Sequence, residues 1–309
     1  MHYRIIITLL VPALLAAEPK EVHIPSTSDG KPQPAIFLAP ASALPQPVPL
    51  VVALHSWSSN YKQTLNKPVQ DFCTRNGWAY IHPDFRGPNR NPAATGSELA
   101  VQDVLDAVAY AKANAKVDPT RAYLTGTSGG GYMSLLMAGR SPGTFAAVSA
   151  WVPISDLAAW HRDSTARRNK YAREIVQSCG GKPGASPEAD LQYHLRSPVN
   201  WLHLARGVPI DIYAGIRDGH TGSVPVDHAL RAFNVLARPV DRLTRDEINH
   251  FVQKATVPAH LPTAAPEPAF EKKQPLFIRS SGPARITLFN GGHEVVPSAL
   301  IQWLENKKI

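Results

Sequence analysis

The segment Gly126-Thr127-Ser128-Gly129-Gly130 places a serine between glycines, directly after the apolar run RAYLT and just before the helix-compatible stretch GYMSLLMAG. A serine at such a strand-to-helix turn is held in a strained backbone conformation with its hydroxyl projecting. Its neighbours two residues away must be glycine-sized so that strand and helix can close on each other. A phosphate loop, the competing reading of a Gly-rich turn, needs a Lys after the glycines, and none follows here. Ser128 is therefore a candidate nucleophile. A serine hydroxyl is weak on its own, so a base and an orienting carboxylate are expected later in the chain, in the order serine, acid, histidine.

Both residue types occur where that order needs them. After the apolar run PIDIYAG the sequence reads Ile216-Arg217-Asp218-Gly219-His220, which puts Asp218 in a loop at the carboxyl end of a strand, where parallel sheets present functional groups. The competing acids are Asp211, inside the same strand, and Asp227, on the helix that follows. The run ITLFNGGHE places His293 in a Gly-Gly turn after the last expected strand. Of the chain's 12 histidines, this one has the position of the general base. His220 and His228 are its runners-up, and His220 is expected to line the site or brace a loop.

Acyl transfer also needs donors for the oxyanion that develops on the substrate carbonyl. The backbone N–H of Gly129 is one candidate. The second is the N–H of Trp57, in the loop Leu54-His55-Ser56-Trp57-Ser58-Ser59 after the first central strand. The Trp57 side chain is a candidate wall of the acyl pocket, and His55 is expected to be structural. Trp160, Tyr171 and His220 complete the candidate substrate contacts, and Trp151, Trp160 and Tyr171 are read as aromatics of a cap, which suggests an esterase. No metal and no organic cofactor is implied by this set.

The elements that must hold these residues are visible as short apolar runs alternating with helical stretches. PLVVALH (49–55), WAYIHPD (78–84), RAYLTG (121–126), FAAVSAWV (145–152), PIDIYAG (209–215) and ARITLF (284–289) read as strands. Helices are expected over about 97–113, 129–138, 224–236 and 298–306. Runs without alternation fit strands covered on both faces, so the pattern predicts a mostly parallel α/β sheet with crossover helices. Residues 18–48 hold seven prolines and read as an extended lead-in with an edge strand near 35–38. Two segments are too long for simple crossovers. Residues 155–206 are expected to form a small cap, and residues 239–280 a flap or insertion with a short helix around 246–254.

With these residues identified, the chain resembles the catalytic domain of the prolyl oligopeptidase family and its single-domain esterase relatives. The resemblance is carried by PDFRG (83–87), VDPTRAYLTGTSGGGYM (117–133), DGHTGSVPV (218–226) and GGHE (291–294). It implies one α/β-hydrolase domain over 18–309 and a Ser-Asp-His triad, which falls on Ser128, Asp218 and His293. Three departures stand out: the family's amino-terminal β-propeller is not expected here, HSWSS replaces a His-Gly start, and the 239–280 insertion is long. These departures, together with the expected export, favour an esterase on acylated carbohydrate or feruloyl- and acetyl-type esters over a peptidase on short peptides. A non-catalytic binding protein is the remote alternative.

Composition bounds the rest. With 44% hydrophobic and 18% charged residues, the chain has enough apolar sequence for one large core. The formal charge of +8 is spread without a basic stretch interleaved with aromatics, so nucleic acid is not an expected partner. Residues 1–17 carry Arg4, an apolar run and small residues before Glu18, as in a secretory signal peptide cleaved after Ala17. The apolar run is too short to span a bilayer, so the mature chain is expected to be secreted or periplasmic, without an integral membrane segment. Cys73 and Cys179 could pair there or remain two buried thiols.

Overall fold

A computed structural model describes residues 18–40 and 46–308. The expected signal peptide lies outside the described residues. Nine strands form one sheet: β1 (Lys20–Pro25), β2 (Pro32–Leu38), β3 (Val48–Leu54), β4 (Ala79–Pro83), β5 (Val117–Thr127), β6 (Ala147–Trp151), β7 (Ile210–Gly215), β8 (Pro275–Ser281) and β9 (Ala284–Phe289). Their spatial order is β1-β2-β4-β3-β5-β6-β7-β9-β8. The six strands from β4 through β9 in that order pair parallel, while β1 and β2 on one side and β8 on the other add antiparallel edges. This is the α/β-hydrolase arrangement.

The apolar runs explain the layering. In β3, Leu50, Val52 and Leu54 belong to one buried cluster, and Val51 and Ala53 to the other. A strand buried on both faces needs no polar alternation, and each large aliphatic buried this way contributes roughly 1.5–3 kcal/mol. Helices α2 (Glu98–Asn114), α3 (Gly129–Arg140) and α7 (Asp227–Leu236) cover one face, and α1 (Lys67–Asn76) and α9 (Pro297–Glu305) the other. Ser97 starts α2 by accepting from the Ala100 amide at 3.1 Å.

Between β6 and β7 the chain forms α4 (Leu157–Ala166), α5 (Tyr171–Cys179) and α6 (Pro187–Arg196). The segment 239–280 differs from a simple flap. It contains α8 (Arg245–Lys254), begun by a capping box between Thr244 and Glu247, and it ends in β8, which extends the sheet beside β9. The lead-in holds a full hairpin of β1 and β2, with Val22 and Ile24 buried on one side. Trp151 ends β6, stacked on Tyr213 at 4.1 Å within the sheet's packing, and is not a cap residue. Both cysteines are free and buried, on α1 and α5, so the thiol alternative holds. Among the described residues, no helix is long and apolar enough to cross a membrane.

Candidate active site

At the end of β5 the backbone turns sharply into α3, and Ser128 occupies that turn with φ 60° and ψ −115°. This region is costly for a residue with a Cβ, about 1–3 kcal/mol, and persists only where surroundings hold it. They do so through backbone bonds: the Ser128 amide donates to the Trp151 carbonyl, and the Tyr132 amide donates to the Ser128 carbonyl, both at 2.8 Å. The flanking glycines are required by contact. A Cβ on Gly126 would lie 2.4 Å from the Gly130 carbonyl carbon, and one on Gly130 would lie 2.3 Å from the Leu54 oxygen.

Three side chains from three loops converge here. His293 Nε2 lies 2.8 Å from Ser128 Oγ, and His293 Nδ1 lies 2.6 Å from Asp218 Oδ2. With the Nδ1 proton donated to the carboxylate, Nε2 is left to accept from the serine hydroxyl. Asp218 is buried after β7, and its Oδ1 accepts from the Val224 amide at 3.3 Å. The other acids fall elsewhere: Asp211 lies in β7 and accepts from the Trp303 indole, and Asp227 opens α7. His228 is buried on α7, with its Nδ1 accepting from the Ser155 amide.

The loop after β3 comes to the same point. A Cβ on Gly129 would lie 2.3 Å from the Trp57 nitrogen, which shows how closely that loop is pressed against the start of α3. The Trp57 carbonyl accepts from the Asn89 amide at 2.8 Å, and Ser56 is held by Gln63 through bonds of 2.7 and 3.0 Å. Among the described residues, neither the Gly129 N–H nor the Trp57 N–H has an acceptor in the protein. Two unengaged backbone amides thus lie close together at the turn that carries Ser128. His55 is fully buried in this loop, stacked on Phe85 at 4.0 Å, with burial pushing its pKa down.

The candidate substrate contacts fare differently. The Trp57 indole is buried against Trp160, Tyr132 and Tyr171, so its side chain is packing and not an open pocket wall. Trp160 is buried as well, donating its indole N–H to the Ser223 carbonyl at 2.9 Å. Tyr171 is half-buried and stacks on Trp160 at 4.8 Å. These rings pack on one another and join the Trp57 loop to α4 and α5, covering large aromatic surface. His220 is exposed and its ring Nε2 lies 2.7 Å from the Val252 carbonyl, bracing the acid loop against α8.

One participant was not visible in the sequence. Glu174, on α5, is buried and accepts from the Trp57 indole N–H at 2.9 Å. Lys170 Nζ stands 3.5 Å from the same carboxylate and donates to Ser58 Oγ at 2.8 Å. The oxyanion loop is thereby tied to α5 through both Trp57 and Ser58. Lys170 and Glu174 have helical i,i+4 spacing, but nothing in the sequence assigns them a partner 117 residues away. Among the described residues, no group of three or more His, Cys, Asp or Glu is placed to hold a metal ion.

The sequence profile of the prolyl oligopeptidase family matches residues 69–261, more than half of the chain. Among solved structures, a Mycobacterium tuberculosis puromycin-hydrolyzing peptidase superposes with a TM-score of 0.62 at 18% identity, covering 94% of this chain and 38% of its own. Pyrococcus horikoshii acylaminoacyl peptidase gives 0.58 at 19% identity, covering 72% and 35%. Prolyl oligopeptidase B from Galerina marginata gives 0.58 at 18% identity, covering 79% and 33%. The chain thus spans little more than a third of the length of these proteins.

Proposed function

From the premise that the chain belongs to the prolyl oligopeptidase family of serine hydrolases, we propose that it cleaves carboxylic esters through an acyl-enzyme on Ser128. The observation that carries this reading is the hydrogen-bonded row Ser128, His293, Asp218 beside two unengaged amides. His293 takes the hydroxyl proton as Ser128 Oγ bonds to the substrate carbonyl carbon. The Gly129 and Trp57 amides receive the negative oxygen. The intermediate collapses as His293 returns the proton to the leaving alcohol, and a water then repeats the sequence to release the acid.

An ester of an acylated carbohydrate, or a feruloyl- or acetyl-type ester, remains the substrate class we favour, and export of the mature chain is part of the same reading. The buried Trp57 and Trp160 supply no stacking platform for a sugar, so this preference does not draw on them. It draws on charge. A short peptide with a free amino terminus would need a carboxylate to receive its ammonium. The buried cap carboxylate, Glu174, is already engaged by Trp57 and Lys170. The second reading, cleavage of short peptides, is supported by the names of the similar structures, which are peptidases.

Hydrolysis of p-nitrophenyl acetate, p-nitrophenyl butyrate, methyl ferulate and alanyl-p-nitroanilide beside Ser128→Ala separates the two. Ester turnover that disappears in the variant is the expected result. Preferred cleavage of the anilide would replace the esterase by the peptidase, and no turnover of any substrate would overturn both.

A further inference from the structure

The turn joining α4 to α5 reads Arg167-Arg168-Asn169-Lys170, and two of its cations reach loops on opposite sides of the triad. Arg167 Nη1 donates to the Gly222 carbonyl at 3.3 Å. Gly222 lies against the triad itself: a Cβ there would stand 2.2 Å from Asp218 Oδ1 and 2.5 Å from the His293 Cβ. On the other side, Lys170 Nζ donates to Ser58 Oγ, one residue after the oxyanion amide of Trp57. Arg168 sits between them in the left-handed region, φ 54°, exposed and with no hydrogen bond from its side chain among the described residues. Arg162 and Arg173 are exposed on the flanking helices.

The acidic groups of the same segments offset only part of this charge, and no carboxylate pairs with Arg167 or Arg168 among the described residues. Glu174 is buried beneath the turn with Lys170 and Trp57, Asp163 faces Arg162 at 3.9 Å, and Glu294, next to the base, is paired with Lys273. A cleft bordered by one sign of charge focuses its field and concentrates ligands of the opposite sign. A guanidinium also matches carboxylate geometry with two parallel N–H donors.

Building on the esterase reading above, we infer that the preferred substrate is an anionic ester, its carboxylate drawn to the excess positive charge of the Arg167-Arg168-Asn169-Lys170 turn beside the triad loops. The carboxylate can belong to the acyl group or to the leaving alcohol, and two matched pairs distinguish these. One pair is the p-nitrophenyl half-ester of adipate with p-nitrophenyl hexanoate. The other is 4-carboxyphenyl butyrate with its methyl ester. Each is measured at low and high ionic strength, with spontaneous hydrolysis subtracted.

In at least one pair the anionic member is expected to show a kcat/KM roughly tenfold above its neutral partner at low salt. That preference should collapse at about 0.5 M salt, where the screening length is only a few ångströms. It should also collapse in Arg167→Glu and Lys170→Glu. Arg168→Glu breaks no side-chain bond and should reduce it without disturbing the fold, whereas Lys112→Glu, in the last turn of α2, should not change it. Equal or faster turnover of the neutral member in both pairs overturns the inference while leaving the hydrolase reading intact. So does a preference insensitive to salt and to these variants. Absence of turnover with all four esters overturns the esterase reading and the inference together.

Discussion

At the scale of single residues, the site depends on where a Cβ is tolerated. Gly129 carries one of the two amides proposed for the oxyanion and leaves the space into which the Trp57 loop fits, since a Cβ there would lie 2.3 Å from the Trp57 nitrogen. Gly129→Ala keeps both N–H groups but drives them apart. We expect kcat to fall about 10²-fold or more, as for loss of an oxyanion donor, with the melting temperature changed far less than activity. Unchanged kcat in a folded Gly129→Ala would remove Trp57 from the oxyanion hole. Ser128, Gly126 and Gly130 were legible in the sequence because the turn imposes their sizes at fixed spacing. Asp218 and His293 were legible because each follows a recognisable strand. The Trp57 side chain was not, since an aromatic near a site reads equally well as pocket wall or as packing, and only the surrounding rings decide which.

At the scale of elements, the cap and the catalytic loops act as one unit. Glu174 on α5 accepts from the Trp57 indole N–H, and the Trp57 backbone carries the second amide proposed for the oxyanion. Glu174→Ala is expected to lower kcat about tenfold with little change in KM, because the amide it positions acts on the transition state more than on bound substrate. Glu174→Gln retains an acceptor and should recover most of the rate. Trp57→Phe, which removes the indole N–H, should be non-additive with Glu174→Ala, since both break the same bond. Additive losses would show that the two residues act separately. The central strands were readable as short apolar runs because both their faces are covered. The edge strands were not: β1 shows only two buried positions, Val22 and Ile24, and β8 begins at a proline in a stretch otherwise read as a flap. Edge strands gain their identity from a neighbour, β2 or β9, that sequence does not specify.

At the scale of the whole molecule, burial of neutral histidines sets a pH limit on stability. His82 in β4 is held at about 3, mainly by burial and further by the neighbouring His55, against an ordinary value of 6.5. His55 and His228 are also pushed down by burial. Between pH 6.5 and about 3 the unfolded chain binds a proton at position 82 that the folded chain does not, so stability falls as pH falls through that window. The slope from one such group is at most about 1.4 kcal/mol per pH unit. The melting temperature of His82→Gln should therefore decline less steeply than that of the unmodified protein between about pH 6.5 and pH 5, and parallel slopes would contradict this. Composition and strand count made one large α/β domain legible. The strand order, and with it the meeting of residues 128, 218 and 293, follows from crossovers whose direction is a property of the folded sheet.

The identity of Ser128 as the nucleophile is tested most directly by reacting the protein with a p-nitrophenyl phosphonate and locating the adduct by intact mass and peptide mapping. One adduct per chain, on Ser128, absent from Ser128→Ala and strongly slowed in His293→Ala, is the expected result. Labelling at another residue, or undiminished labelling of Ser128→Ala, would contradict the account.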